Sequence, residues 1–220
     1  MQEGDYVCNV GKMELNEYKL IVVGGGAAGF YGAIQAAEAK PDLKILILEK
    51  SAKLLSKVKI SGGGRCNVTH HCFSPIKLSH HYPRGEKPLQ TVFKVHHASS
   101  TVDWFESRGV ALKVEEDGRM FPVTDNSQTI VDCLMSEALR KKIKIEMGEG
   151  VIKLEKMNNG FLVTTQKGKQ YTGEKILIAT GGNPSKLFYE WIAALGHTII
   201  PPIPSLFTFN DAEKKFSDLM

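Results

Sequence analysis

No stretch of this sequence is apolar enough to cross a membrane as a helix. One long run without a charged residue, Leu20 to Ala37, is interrupted by Gly24, Gly25, Gly26, Gly29 and Gly32, whereas a spanning helix needs roughly 20 predominantly apolar residues. The N-terminal stretch has no apolar segment either. Glu3, Asp5, Glu14 and Glu17 punctuate it, which argues against a secretory signal or an Arg-rich transit peptide and makes a cytoplasmic location the expectation. Cysteine is scarce: Cys8, Cys66, Cys72 and Cys133 form no CxxC pair and no disulfide framework, as in a reducing compartment. Cys66, His70, His71, Cys72, His80 and His81 lie close in sequence but lack the paired short spacings of a zinc site, and adjacent histidines on an extended chain point opposite ways. No metal site is expected there. An excess of one charge is also lacking, since 28 basic residues stand against 24 acidic ones. The charges read as scattered, with no aromatic-interleaved basic stripe, so no nucleic-acid partner is expected.

What the chain does have is a globular composition. With 42% hydrophobic and 24% charged residues over 220 positions, it is long enough for one sizeable core, or for a domain and part of a second. Tyr18 to Val23 is a short apolar run that reads as a buried strand and leads straight into Gly24-Gly25-Gly26-Ala27-Ala28-Gly29. A helix is expected from Ala27 to Lys40, with Phe30, Ala33, Ile34 and Ala37 on one face and Pro41 marking its end. Lys44 to Leu48 is a second buried strand, closed by Glu49. Strand, helix and strand in this order call for a parallel βαβ unit.

Beyond it, a glycine-rich loop at Ser61 to Asn67 enters a long polar connection whose elements between Ser79 and His97 stay unassigned. A helix is expected from Thr101 to Arg108, then strands at Val110 to Val114 and Arg119 to Val123 around the Asp117-Gly118 turn. Ser127 is expected to cap a helix reaching Lys142, with Ile130, Leu134, Ala138 and Met135 inward. Strands at Lys144 to Met147, Val151 to Met157, Phe161 to Thr165 and Lys169 to Thr172 read as a β-meander. The sheet then resumes at Lys175 to Ala179, and a helix is expected from Ser185 to Leu195. Pro201, Pro202 and Pro204 point to a change of domain near residue 200.

The pattern G-x-G-x-x-G carries little weight alone, because glycine turns are common. Here a strand precedes it, a helix follows, and an acidic residue closes the second strand, which is the context that dinucleotide binding requires. Gly24 permits the tight turn, Gly26 lets the backbone approach a pyrophosphate, and Gly29 lets the helix lie close to the strand. Amides at the helix start, from Gly25 through Ala27 and Ala28, meet the diphosphate charge. Glu49 accepts hydrogen bonds from ribose hydroxyls. Lys50, beside Glu49, and Val151, at the head of a meander strand, are also counted as cofactor-binding candidates. A purely structural glycine turn is the competing reading.

The segment Ile60-Ser61-Gly62-Gly63-Gly64-Arg65-Cys66-Asn67-Val68-Thr69 resembles the signature of the YhiN/BaiN-type flavoprotein family, the aminoacetone-oxidase-like FAD-binding proteins. Further matches are Tyr82 to Gly85, Trp104 to Gly109, Gly118 to Val123, Ala179-Thr180-Gly181-Gly182, and Leu195 to Thr198 followed by Pro204 to Leu206; the similarity covers Tyr18 to Asn210. The resemblance implies an α/β fold: a Rossmann-like FAD-binding domain with a parallel sheet and a β-meander crossover. It further implies an FAD-dependent oxidoreductase acting on a small organic substrate, with NADH or NADPH as reductant. Ser61, Gly62, Gly63, Gly64, Arg65, Cys66 and Asn67 would line the flavin side, with Lys57 and the strand-end residues Thr180, Gly181 and Gly182 also at the cofactor. Three successive residues without side chains can form a nest for an anion or pass over a flat ring.

Two residues of this segment keep alternative readings. Arg65 either balances cofactor charge or forms a structural ion pair, and Cys66 is either a redox-active thiol or one packed inertly. The chain departs from the family pattern at Leu55 and Ser56, where Gly and a basic residue are usual. Expected boundaries are an N-terminal extension over 1–17, an incomplete FAD-binding domain over 18–200 and the start of an inserted substrate domain over 201–220. Relatives continue further, so a truncated, non-catalytic nucleotide-binding fragment is one alternative. An NAD-dependent dehydrogenase is another, disfavoured by the meander and the SGGGRCN string.

Overall fold

Strand β1 (Asn16–Val23) is the axis on which the sheet is built. Ile21 and Val22 are fully buried, and β2 (Ile45–Glu49) presents four consecutive buried residues. Strands covered on both faces read as continuous apolar runs and belong in the interior of a parallel sheet. The two pair in parallel, Leu20 opposite Ile45 through Val23 opposite Leu48. Helix α1 (Ala27–Ala39) connects them and buries Phe30, Ala33, Ile34 and Ala37, the expected face.

The computed structural model describes residues 16–183 and 186–201, in two compact units, Met1–Gly181 and Gly182–Met220. In the first unit the short helix α2 (Ser56–Ile60) and a 3-10 turn (Ser61–Gly64) lead to β3 (Thr69–His70). The polar connection is helical rather than irregular: α3 (Pro75–Ser79) and α4 (Glu86–Phe93) precede α5 (Ala98–Glu106). Helix α5 starts a turn before the expected Thr101 because His97 caps it, accepting from the Ser99 amide. Strands β4 (Leu112–Val114) and β5 (Arg119–Pro122) form the expected hairpin and, with β3, a three-stranded sheet in the order β3-β5-β4.

Helix α6 (Gln128–Arg140) buries Ile130, Leu134 and Ala138. Its expected cap is absent: the Ser127 hydroxyl makes no cap hydrogen bond and donates instead to the carbonyl of Lys59. The meander also differs from expectation. Strand β6 (Lys144–Met147) stands outside it, paired in parallel with the far side of β2. The meander is β7 (Val151–Met157), β8 (Gly160–Thr165) and β9 (Gln170–Ile178). Strand β9 is continuous where two strands were expected, so the meander runs directly into the central sheet, ordered β6-β2-β1-β9-β8-β7. Gly173 suggests a break in the sequence, yet it lies buried inside β9, where a Cβ would fall 2.9 Å from the Ile21 side chain. It is there for packing rather than for a turn.

The principal core fills the space between this sheet and α1, α5 and α6, and it includes Leu55, Val58 and Cys66 from the loop region. Glu38 on α1, Arg108 in the turn after α5, and Glu137 and Arg140 on α6 are joined by ion pairs, with Arg108 stacked 4.0 Å from the Trp104 ring. That network gives the Trp104 to Gly109 string a packing role. In the second unit a 3-10 turn (Lys186–Tyr189) and α7 (Glu190–Ala193) replace the longer helix expected from Ser185, a residue outside those described. Of the expected second domain at 201–220, only Pro201 is among the described residues.

Candidate cofactor site

At the carboxyl end of β1 the backbone turns under tight steric control. The Gly24 amide donates to Leu48 O at 2.8 Å, and the Ala179 amide donates to Val23 O at 2.8 Å, so the ends of β1, β2 and β9 are tied together. Gly24 has φ +117, and a Cβ there would lie 2.4 Å from Ala179 O. At Gly29 a Cβ would lie 1.9 Å from Gly24 O. Both positions are closed to any side chain by the protein itself. Gly26 is different, since a Cβ there would meet nothing within 4 Å. The protein's own packing does not require glycine at 26, whereas an approaching pyrophosphate does. Ala27 and Ala28 are exposed at the start of α1, leaving the positive end of the helix uncovered for an anion.

Glu49 stands beside this cradle. Its Oε2 accepts from the Gly25 amide at 2.7 Å and its Oε1 from the Ser51 amide at 2.8 Å, which holds the carboxylate at the mouth of the glycine turn with lone pairs remaining for ribose hydroxyls. The Glu149 amide donates to Glu49 O at 2.8 Å, and Gly148 donates to Ser51 O at 3.1 Å. Gly150 packs against Lys50, where a Cβ would fall 3.1 Å from that of the lysine. Val151 and Lys50 are thereby brought to the same end of the sheet as Glu49.

The Glu149 side chain, only 1% exposed, anchors this corner. It accepts from Thr165 Oγ1 at 2.8 Å and pairs with Lys169 at 3.0 Å. Burial acts to raise its pKa, but Lys169, Thr165 and Lys167 outweigh it and hold the carboxyl below the usual glutamate range. Sequence reasoning missed Glu149. The signal was its place between Gly148 and Gly150, where the backbone has room to fold around a buried carboxylate.

A second region continues from the first. The Leu55 amide donates to Gly25 O at 2.9 Å, and Leu55 adopts φ +53, a left-handed conformation that glycine takes at no steric cost. This explains why the family pattern has glycine there; here the full burial of the leucine side chain offsets the strain. From α2, Lys57 reaches toward Gly181: a Cβ there would lie 3.4 Å from Lys57 Nζ. Thr180 follows Ala179 beside Gly24, and Gly182 opens the second unit.

The loop after α2 is left-handed at Gly62, Gly63 and Gly64, with φ of +56, +66 and +86. Gly63 and Gly64 face open space, while Gly62 abuts Phe121 and the Asn67 amide. The Ser127 amide donates to Gly64 O at 2.8 Å and its hydroxyl to Lys59 O at 2.7 Å, so the start of α6 clamps both sides of the loop. Ser127 is a positioning residue whose role only the folded chain reveals.

Arg65 and Cys66 both have packing partners. Arg65 pairs with Glu115 and with Asp125 at 3.6 Å and lies 4.1 Å over the Phe121 ring. Cys66 is buried, and burial pushes its thiol pKa up, with Ser61 opposing the shift; a neutral thiol is a poor nucleophile. Asn67 is exposed. Among the described residues no group of three or more His, Cys, Asp or Glu side chains is arranged to hold a metal, and no helix is long and apolar enough to cross a membrane.

Comparison with known proteins agrees with this geometry. Residues 18–205 match the family described as the HI0933-like protein Rossmann domain. The chain is 30% identical over 193 residues to a 3-dehydro-bile acid delta(4,6)-reductase of Clostridium scindens, covering 84% of this chain and 46% of that protein. It is 26% identical over 202 residues to a ribosomal RNA dihydrouridine synthase of Escherichia coli, covering 89% of this chain and 49% of that protein. The chain thus spans about half the length of the curated relatives it matches. Among solved structures, the open conformation of a flavocytochrome c3 fumarate reductase superposes with a TM-score of 0.58 at 22% identity, over 77% of this chain and 34% of that one. The Rossmann-type fold and the family resemblance carried by Ile60 to Thr69 both hold, and this chain belongs to the HI0933-like protein Rossmann domain family.

Proposed function

We propose that this Rossmann domain binds FAD and serves an oxidoreductase that adds hydrogen across a carbon–carbon double bond conjugated to a carbonyl group. The observation that carries the binding half is the contrast at the glycine turn. Gly24 and Gly29 are filled by the protein's own backbone, while the Gly26 position opens onto free space. Bound FAD would supply two-electron transfer, with NADH or NADPH as the reductant. The chain's own residues do the rest. Gly26, Ala27 and Ala28 receive the diphosphate, Glu49 orients the ribose, and the loop clamped by Ser127 faces the remainder of the cofactor.

The reaction class is supported by what the two relatives' names share. A delta(4,6)-reductase of a 3-dehydro bile acid saturates carbon–carbon bonds in conjugation with a ketone, and a dihydrouridine synthase saturates the uracil double bond next to a carbonyl. In each case a hydride and a proton add across the bond, two electrons coming from the reductant. A small organic substrate and a nucleic-acid base are thus two members of one chemical class. No metal is assigned a role, and the proposed location is cytoplasmic.

Titration of the protein with FAD, FMN and NAD tests the binding half. FAD is expected to bind, and Glu49→Ala to weaken it about ten- to a hundredfold, because a hydrogen bond to a charged group contributes roughly 1.5–3 kcal/mol. NAD uptake without FAD uptake would instead make the chain part of an NAD-dependent dehydrogenase. Anaerobic NADPH oxidation in the presence of a 4-en-3-one steroid or of uridine-containing RNA tests the reaction class.

A further inference from the structure

The charge of this chain is unevenly divided. From Lys50 to Val102 the sequence holds nine Lys and Arg residues and one acidic residue, Glu86. At 24 acidic residues in 220, those 53 positions would carry about six. Taking this stretch from the chain's 28 basic and 24 acidic residues leaves 19 and 23. The scatter read from the whole-chain balance does not hold here.

Within that stretch, four cations gather on one supersecondary unit. Lys77 lies on α3, Arg84 in the turn, Lys87 on α4 and Lys94 at its end, all exposed. Lys87 and Lys94 are seven residues apart and so share a helix face. Among the described residues none of the four is in an ion pair, whereas Arg108, Arg140, Lys141, Lys144 and Lys169 each are. Glu86 is engaged with His80 at 3.4 Å. Aromatic rings interleave with these cations in the sequence: Phe73 and Tyr82 expose 41% and 46% of their surface. Each is held by a neighbour, Phe73 by the His71 ring at 4.5 Å and Tyr82 by Phe93 at 5.6 Å. Helix α4 itself has no buried residue.

We propose that the face formed by α3, α4 and the turn between them is a docking surface for RNA. Unpaired cations contact phosphates, and fixed rings beside them stack on unpaired bases, which is the combination single-stranded nucleic acid requires. The segment reaches this face from the SGGGRCN loop by way of β3 alone, so the surface adjoins the candidate cofactor site in sequence and is rooted on the same hairpin. The inference deepens the proposed function by naming the molecule that carries the reducible bond, a base in RNA. It rests on that reading only for this link. Ile76, Val92 and Val95 are also exposed, which makes an anionic lipid surface the competing occupant; the rings interleaved with the cations favour RNA.

The test measures binding of a labelled RNA hairpin with a uridine-rich loop to the full chain across a salt series, with FAD uptake measured in the same samples. If four phosphates are contacted, affinity falls about fifty-fold between 50 and 200 mM salt, at a slope of roughly 0.7 per contact. Combining Lys77→Gln, Arg84→Gln, Lys87→Gln and Lys94→Gln should nearly flatten that slope, while Lys142→Gln with Lys175→Gln should leave it unchanged. Phe73→Ala with Tyr82→Ala should weaken binding at all salt concentrations alike. The proposal is overturned by no RNA binding at low salt, by equal binding of wild type and the four-site variant, or by a variant that loses only binding to phosphatidylglycerol vesicles. RNA binding through these residues without FAD uptake would sink the cofactor reading and leave the surface standing. FAD uptake without RNA binding would do the reverse.

Discussion

The two glycine-rich segments of this chain need glycine for different reasons. At Gly29 the requirement is space, since a Cβ would lie 1.9 Å from a carbonyl oxygen, and at Gly24 the same obstruction at 2.4 Å adds to a φ of +117. At Gly63 and Gly64 it is the backbone dihedral, with φ of +66 and +86 and nothing within 4 Å of the missing Cβ. The first segment is a packing joint between strand and helix that leaves a single open position, Gly26. The second is a left-handed loop held from outside by Ser127, Phe121 and the Arg65–Glu115 pair. Substitutions in the first should therefore damage the fold or the ligand according to position, whereas at Gly63 and Gly64 the cost to the fold should be conformational energy alone.

Gly29→Ala should have the largest effect. With a backbone oxygen in the way, the cost reaches or exceeds the roughly 3 kcal/mol upper end of overpacking, measured as a lowered denaturant midpoint or loss of soluble folded protein. Near-native stability would break the comparison at its root. Gly26→Ala sharpens it: stability should change by less than about 1 kcal/mol, as for exchanges at a helix N-cap, while FAD affinity falls at least tenfold, about 1.4 kcal/mol. A variant that binds FAD normally would remove the open position from the site.

Gly63→Ala should cost about 1–2 kcal/mol, the penalty for left-handed backbone, and Gly63→Asn less, because asparagine tolerates that region. Equal losses for the two would mean that space, not dihedral, governs the loop.

The smallest effect concerns thiols. Burial raises the pKa of Cys66, and burial with Glu137 nearby raises that of Cys133 to about 11, so both should alkylate more slowly at neutral pH than Cys72, which lies outside the principal core. Preferential modification of Cys66 would restore it as a reactive group.

The corner behind Glu49 has its own pH signature. The Glu149 carboxyl titrates below its ordinary value of 4.5 in the folded protein, so its contribution to stability is complete above that value. It is lost as the pH falls through the lower, folded-state value. Glu149→Gln should flatten the acid limb of the stability profile; an unchanged limb would show that the ion pairs with Lys167 and Lys169 contribute nothing.

Much of the first region was legible in the sequence. The apolar run, the glycine spacing, the buried face of α1 and the acidic strand end are local patterns, and local patterns survive into the fold when one face must be buried. Some signals were present but unread: Ser74 and Pro75 form an N-cap and first-turn pair that starts α3, with Ser74 accepting from the Lys77 amide. The relative reductase and synthase each match most of this chain, so the substrate did not lie in the fingerprint.

By itself the sequence determined the βαβ unit, the hairpin at Asp117-Gly118 and the family, and it pointed to the candidate site at the carboxyl ends of β1 and β2, because each rests on contacts near in sequence or on a periodic pattern. The tertiary structure alone decided that β9 is one strand running from the meander into the sheet, that β6 pairs with β2, and that Ser127 clamps a glycine loop instead of capping its own helix. It also decided that Arg65 pairs with Glu115 and lies over Phe121. These outcomes depend on which distant residue occupies a given space, such as Ile21 against Gly173, and no local pattern carries that information.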